Sequence, residues 1–309
     1  MNRDRSGGAA VAGSRRILVG SLGKRRTAAF LALSVALAAA CPMGDDPKAK
    51  SDGDPKIALT DVASRSAPRG DAAASIAPES PCARAVRIIR ECQTRFAEVK
   101  DYTCTFYKRE RIGDKLTDMN VMSMKMRNQP QSVYFKFHQP NKGREAIYVE
   151  GKNDGYVLAH DVGFTKFLAG TMRLDPNGAR AMENCRHPVT KAGIGNLIQT
   201  VVDRWGSELS ELESVVLFDP KMRLGSSPCL LIEAIHPEKK PQFMFHKVRL
   251  FIDEALGLPI RYEAYDWPNK TGETPELLEE YAYEGVKLNV GLGEADFDAA
   301  NKLYSFGRF

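Results

Sequence analysis

The 309-residue sequence has no Phe, Tyr or Trp between Phe30 and Phe96. A stretch without aromatics and with isolated aliphatics buries too little to offset ordering entropy, so the folded part is expected to begin near residue 81. Also missing is an apolar run of the roughly 20 residues that a membrane helix needs; the longest run extends only from Thr27 to Ala40. The common enzyme signatures are absent: there is no G-x-S-x-G, no H-E-x-x-H and no P-loop. Gly193-Ile-Gly195 lacks the third glycine of a dinucleotide fingerprint. No C-x-x-C or Cys/His metal spacing occurs, so neither a metal nor a cofactor is expected.

The apparent excess of positive charge is also missing from most of the chain. The net charge is +5, from 44 Lys and Arg against 39 Asp and Glu. Seven of those cations and one anion lie within residues 1–40, which leaves 37 against 38 beyond them. The basicity belongs to the N-terminal segment and gives no support to a nucleic-acid partner.

That segment reads KRRTAAFLALSVALAAAC from Lys24 to Cys41. Three cations followed by a short apolar run with small residues at its exit form the pattern of a secretory signal peptide. Its end has two readings. Ala38-x-Ala40 suits cleavage by an ordinary signal peptidase, and Leu37 to Cys41 resembles a bacterial lipobox, which would make Cys41 a lipidated first residue. The chain is therefore expected to be exported, as a periplasmic protein or as a lipoprotein anchored in a membrane through Cys41. Five further cysteines remain. An oxidising compartment permits disulfides, and the odd count leaves at least one thiol free or paired elsewhere.

The organisation that follows is a signal peptide over 1–40, a disordered tether over 41–80 and one domain over 81–309. Ser80-Pro81 is a helix start, an N-cap residue followed by proline at the first position. Val86, Ile89, Cys92, Phe96 and Val99 then recur at helical spacing. Strand patterns follow. Tyr102 to Tyr107 alternates. Met122, Met124 and Met126 share one face, as do Val133, Phe135 and Phe137. Asn153-Asp-Gly155 is a hairpin signal. A second helical stripe is formed by Ile194, Leu197, Ile198, Val201, Val202 and Trp205. Strands are expected again at Cys229–Ile232, Phe243–Ile252, Leu258–Tyr265 and Glu279–Leu288. The pattern predicts an α+β domain with two long helices and an antiparallel sheet of about nine to eleven strands.

Val248-Arg-Leu-Phe-Ile-Asp253 followed by Gly257-Leu-Pro-Ile-Arg-Tyr262 resembles the "W-I-D … G-L-P-x-R" hairpin of lipoprotein-carrier-like domains. Tyr283 to Asn289, followed by Asp296-Phe297, resembles their final strand and its "L-N … F" ending. From about Pro81 to Tyr304 the chain resembles an exported bacterial family of unknown function (DUF1571-like) within the Lol-type superfamily. That resemblance implies a curved antiparallel half-barrel wrapped around helices, with an apolar cavity for acyl chains. The chain departs from the carriers in its length, in extra material between Phe164 and His187, and in its six cysteines. The resemblance implies a non-enzymatic cell-envelope protein that binds a lipid, an acylated protein or another amphiphile. The alternative is a structural or protein-interaction module of the same fold without a lipid ligand.

The candidate cavity lining is Met122, Met124, Met126, Val133, Phe135 and Phe137, because methionine repacks around irregular ligands. The competing reading is a plain core against the helices. Four polar groups are weaker candidates for chemistry. His160-Asp161 is an acid/base pair at a strand end. Cys185-Arg-His187 places a thiol near an imidazole, at a spacing that suits contact on neither a strand nor a helix. His236 and His246 could face each other across a hairpin. Glu276 to Glu280 reads as a solvated strand entry or helix turn.

Overall fold

The computed structural model describes residues 78–162, 170–270 and 272–306. The signal segment, Cys41 and most of the expected tether lie outside them. Helix α1 (Pro81–Phe96) starts as the sequence requires, with Ser80 in extended conformation accepting a hydrogen bond from the Ala83 N–H through its side chain. The face that α1 buries carries Cys82, Ala85, Ile89 and Cys92, with Val86 and Phe96 only half-buried at its margin.

Twelve strands follow: β1 (Asp101–Ile112), β2 (Lys115–Leu116), β3 (Asn120–Arg127), β4 (Ser132–Gln139), β5 (Glu145–Val149), β6 (Val157–His160), β7 (Thr171–Leu174), β8 (Val215–Leu224), β9 (Ser227–Ile235), β10 (Lys247–Asp253), β11 (Leu258–Tyr265) and β12 (Leu277–Leu288). Between β7 and β8 the chain forms two short helical turns, α2 (Ala179–Met182) and a 3-10 turn at Val189–Lys191, and then the long helix α3 (Ile194–Glu208). The strands form one sheet in the order β7-β6-β5-β4-β3-β1-β12-β11-β10-β9-β8, with β2 pairing only β1. Every pairing is antiparallel. Its two outermost strands, β7 and β8, do not pair with each other, so the sheet is open.

The motif residues mark turns with a physical need. Asn153, Asp154 and Gly155 all have positive φ and carry the chain from β5 into its partner β6. At the β10–β11 turn, Asp253 accepts from the Ala255 and Leu256 N–H groups, and Gly257 sits at φ +63°. A Cβ on Gly257 would lie 2.7 Å from Arg95 Cδ, so the G-L-P glycine allows both the turn and the close approach of α1. Asn289 ends β12 at φ 53°, and its side chain accepts from the Lys100 N–H at 2.7 Å.

The main core lies between α1, α3 and one face of the sheet, and Ile89, Tyr102, Met124, Ile198, Ile232, Leu250 and Leu258 are all fully buried in it. Helix α3 begins at Gly193, at φ +104°, where the first free N–H, that of Ile194, donates to Tyr102 Oη at 2.8 Å. A smaller core lies on the other face of the sheet, where the C-terminal residues Phe297 and Ala299 cover Tyr134, Ile147, Val149 and Leu158.

Three expectations change. The strand read over Phe243–Ile252 starts only at Lys247. Phe243 and Phe245 are buried from an irregular segment instead, because each packs as an anchor rather than as part of a ladder. Strands β2, β7 and β8 lack clean alternation and are absent from the sequence reading. The acidic stretch Glu276–Glu280 is a strand entry rather than a helix turn, solvated only at Glu276: Glu279 and Glu280 are 3 % exposed within β12.

Candidate functional site

Cross-strand register dictates what faces the helices. Phe106 lies opposite Met122 on β3 and Tyr283 on β12, and Met122 lies opposite Phe137 on β4. The adjacent row runs from Met124 through Phe135 and Ala146 to Ala159 and Met172. Because side chains alternate across a strand, these rows share one face. All of them except Met124 border a partly open cavity of about 860 Å³, which is flanked by residues from 176 to 193 and by Leu197, Thr200 and Arg204 of α3.

The structure divides the six expected lining residues. Met122, Phe135 and Phe137 line the cavity. Met124, Met126 and Val133 share the same face but lie outside the lining, although Met122 is as deeply buried as they are. Met126 lies under the start of α3, where its Cε would be 3.0 Å from a Cβ on Gly193. Phe106 adds an aromatic cluster, with ring centroids 5.9 Å from Phe135 and 5.0 Å from Tyr283.

Polarity changes along the strands. Following Phe106 on β1, Lys108 and Glu110 point to the same cavity, opposite Tyr281 and Glu279 of β12. Glu110 and Glu279 are thus direct cross-strand partners, both almost fully buried. Like charges directly opposite repel, and three cationic or donor groups offset the cost. Lys108 Nζ donates to Glu110 at 2.8 Å, Tyr281 Oη donates to Glu110 at 2.5 Å, and the Arg186 backbone N–H donates to the same carboxylate at 2.9 Å. Glu279 accepts from Arg186 Nε at 3.0 Å and lies 2.9 Å from His187 Nε2.

The electrostatics follow from this pairing. Burial pushes the Glu279 carboxyl up, but hydrogen bonding and charge from His187 and Arg186 more than reverse it and hold it below the ordinary value. Burial pulls Lys108 down, and the Glu110 carboxylate and Cys185 more than reverse that, holding the ammonium above its usual range. Burial, followed by the charges of Glu279 and Glu110, drives the Tyr281 phenol far up, so it stays a donor.

The weaker candidates are now placed. Cys185 and His187 do not act on each other: the Cys185 thiol accepts from Lys108 Nζ at 3.0 Å, and His187 pairs with Glu279. His160 is buried at the end of β6, and Asp161 forms a two-pronged pair with Arg144 at 3.0 Å. His236 and His246 do lie opposite each other across the hairpin, the His236 N–H donating to the His246 carbonyl oxygen at 2.7 Å, but their rings take different partners. His236 stacks on Phe243 with centroids 3.9 Å apart, while His246 Nδ1 bonds the His236 carbonyl oxygen at 2.9 Å. Among the described residues no group of three His, Cys, Asp or Glu could hold a metal ion. The five described cysteines are free thiols. Burial pushes Cys92 and Cys104 up to about 12 and Cys82 up to about 11, which makes these three inert packing thiols. The sequence reading missed Lys108, Glu110 and Tyr281, and touched Arg186 and Glu279 only within Cys185-Arg-His187 and Glu276 to Glu280, without this role. Its available signal was phase: Lys108 and Glu110 continue the inward alternation of Cys104 and Phe106, and Glu279 that of Tyr281 and Tyr283.

No curated protein matches the chain. Among solved structures it is similar to a putative outer membrane lipoprotein-sorting protein domain from Vibrio parahaemolyticus, at 12 % identity over 70 % of this chain and 97 % of that one, with a TM-score of 0.31. It is also similar to a LolA superfamily protein from Nitrosomonas europaea (11 % identity, 69 % and 96 % covered, TM-score 0.29). The third likeness is to the lipoprotein LppX of Mycobacterium tuberculosis (7 % identity, 70 % and 98 % covered, TM-score 0.34). The family model described as "Protein of unknown function (DUF1571)" matches residues 99–306, and the chain belongs to that family.

Proposed function

We propose that this protein is a non-enzymatic cell-envelope binder of amphiphiles, whose sheet acts as a half-barrel around its helices and holds acyl chains in the cavity. The observation that supports this reading most is the cavity itself: about 860 Å³ faced by Phe106, Met122, Phe135, Phe137, Ala146 and Tyr283. Ligand pockets typically have such volumes and mostly apolar walls, and flexible methionine at one wall suits chains of variable shape. The polar groups beside it are bonded to one another, which suits a fixed wall better than a reacting centre.

Ala146 stands in the row between Phe135 and Ala159. Ala146→Trp fills the cavity from its floor and is expected to cut uptake of a fluorescent fatty acid by about tenfold or more, while circular dichroism keeps the wild-type sheet signal. Equal uptake by the two proteins would show that the chains do not enter here. Export as a periplasmic protein, with or without a lipid anchor at Cys41, belongs to the same reading. Cys41→Ser is expected to move the full-length protein from the membrane to the soluble fraction of cells and to remove label from incorporated radioactive palmitate. An unlabelled, soluble wild type would instead assign plain cleavage near Ala40.

A further inference from the structure

The cavity has two poles, and its polar pole carries no net charge. At the apolar pole the opposed residues are Phe106, Tyr283, Met122 and Phe137. Two residues further along β1 comes Lys108, and two beyond that Glu110, both in the lining. Lys108 and Arg186 are matched there by Glu110 and Glu279. The remaining cations near the wall are matched too, Arg144 by Asp161 and Arg204 by Glu208. At the rim the exposed Lys115, Arg180 and Lys191 are interspersed with the exposed acids Asp118 and Glu183. Among the described residues, a carboxylate or phosphate entering this pole finds every interior cation already neutralised. An ammonium finds every interior carboxylate likewise taken.

Among the described residues, one donor is nevertheless open at the pole. The Lys108 side chain is only 16 % exposed, and its ammonium has three N–H groups. Glu110 and the Cys185 thiol receive two of them. A thiol is a weak acceptor, and a polar donor held away from water gains from a full partner. We infer that Lys108 is the residue that reads the ligand's head, and that the head is an uncharged carbonyl acceptor of the kind carried by an ester-linked acyl chain. This rests on the amphiphile reading above and narrows it. The chain lies along Phe106, Met122 and Phe137, and the carbonyl oxygen accepts the third Lys108 N–H. The charge balance of the pole is left undisturbed.

The test compares four probes on the full-length protein at pH 8: a monoacylglycerol, the fatty acid of the same chain, the matching alkylammonium, and headless diphenylhexatriene. Wild type is expected to bind the monoacylglycerol about tenfold more tightly than either charged probe, whose added charge the balanced pole leaves without a counter-ion. Lys108→Met is expected to lose about tenfold for the monoacylglycerol and to leave diphenylhexatriene unchanged. Because that variant strands Glu110, the double variant Lys108→Met/Glu110→Gln provides the same comparison without an unpaired carboxylate. Equal or tighter binding of the fatty acid anion, or an unchanged preference in either variant, overturns the role of Lys108 while uptake of diphenylhexatriene still supports the cavity. Uptake of none of the four, diphenylhexatriene included, overturns both readings together.

Discussion

Glu110→Ala is expected to lower the unfolding free energy by about 3–5 kcal/mol, read as a fall in the urea midpoint at unchanged slope. The carboxylate is 1 % exposed and is the shared partner of Lys108 Nζ, Tyr281 Oη and the Arg186 backbone N–H. Truncating it removes the main acceptor of an ammonium, a phenol and a backbone donor, leaving the first only the Cys185 thiol and the second only Glu279 at 3.4 Å. The penalty for stranding buried donors exceeds the net value of the bonds that are lost. Tyr281→Phe makes the contrast. It removes one donor from a carboxylate that keeps two others, and the expected cost is about 1 kcal/mol. If the two variants were equally stable, the network would not be carrying the charge of Glu110. The comparison also separates the wall from the ligand, since it needs no bound chain.

The second large effect is on acid stability. His236 is 4 % exposed, its ring stacked on Phe243 and its Nδ1 3.2 Å from Ser214 Oγ. Burial, followed by the charge of His246, pushes it down from 6.5 to about 4. Above pH 6.5 both the folded and the unfolded chain hold it neutral, and it costs nothing. Below 6.5 the unfolded chain takes up the proton first, so stability falls progressively as the pH drops towards 4. The full loss is about 3 kcal/mol. His236→Gln keeps a group able to bond Ser214 and cannot take up that proton. Its unfolding free energy, measured by urea titration from pH 7.5 to 4, is expected to decline less steeply than that of wild type, by about 3 kcal/mol across the window. Parallel curves for the two proteins would place the imidazole in contact with water.

The fold and the candidate site were unequally legible in the sequence. Helix α1 was readable from Ser80-Pro81 because a cap is a local contract: one side chain, one backbone donor, three residues apart. Helix α3 was readable because its buried face repeats every three or four residues over four turns. The strands β3, β4, β10 and β11 alternate in sequence, and the β10–β11 turn holds Gly257 where positive φ demands it. Strand β8 was not readable. It lies at the sheet edge, and most of its residues are exposed or half-exposed, so neither burial nor a partner on its outer side imposes a period.

Half of the expected lining was separated from the rest by packing that periodicity does not encode. Met122 and Met126 occupy equivalent phases of one strand, yet Met126 is covered by the start of α3 while Met122 opens on the cavity. Which methionine is covered depends on where a helix 68 residues later begins.

By itself, the sequence determined the near-neutral charge beyond residue 40, the two long helices, the antiparallel strands and the family. All of these rest on contacts within a few residues or on composition. The tertiary structure alone decided the polar pole. Lys108 and Glu110 come from β1, Arg186 from the connection before α3, and Glu279 and Tyr281 from β12, at separations of up to 171 residues. Each of these residues reads singly as a surface charge or an ordinary strand tyrosine. Only the register of β1 against β12, which places Glu110 opposite Glu279, turns them into the wall of a cavity.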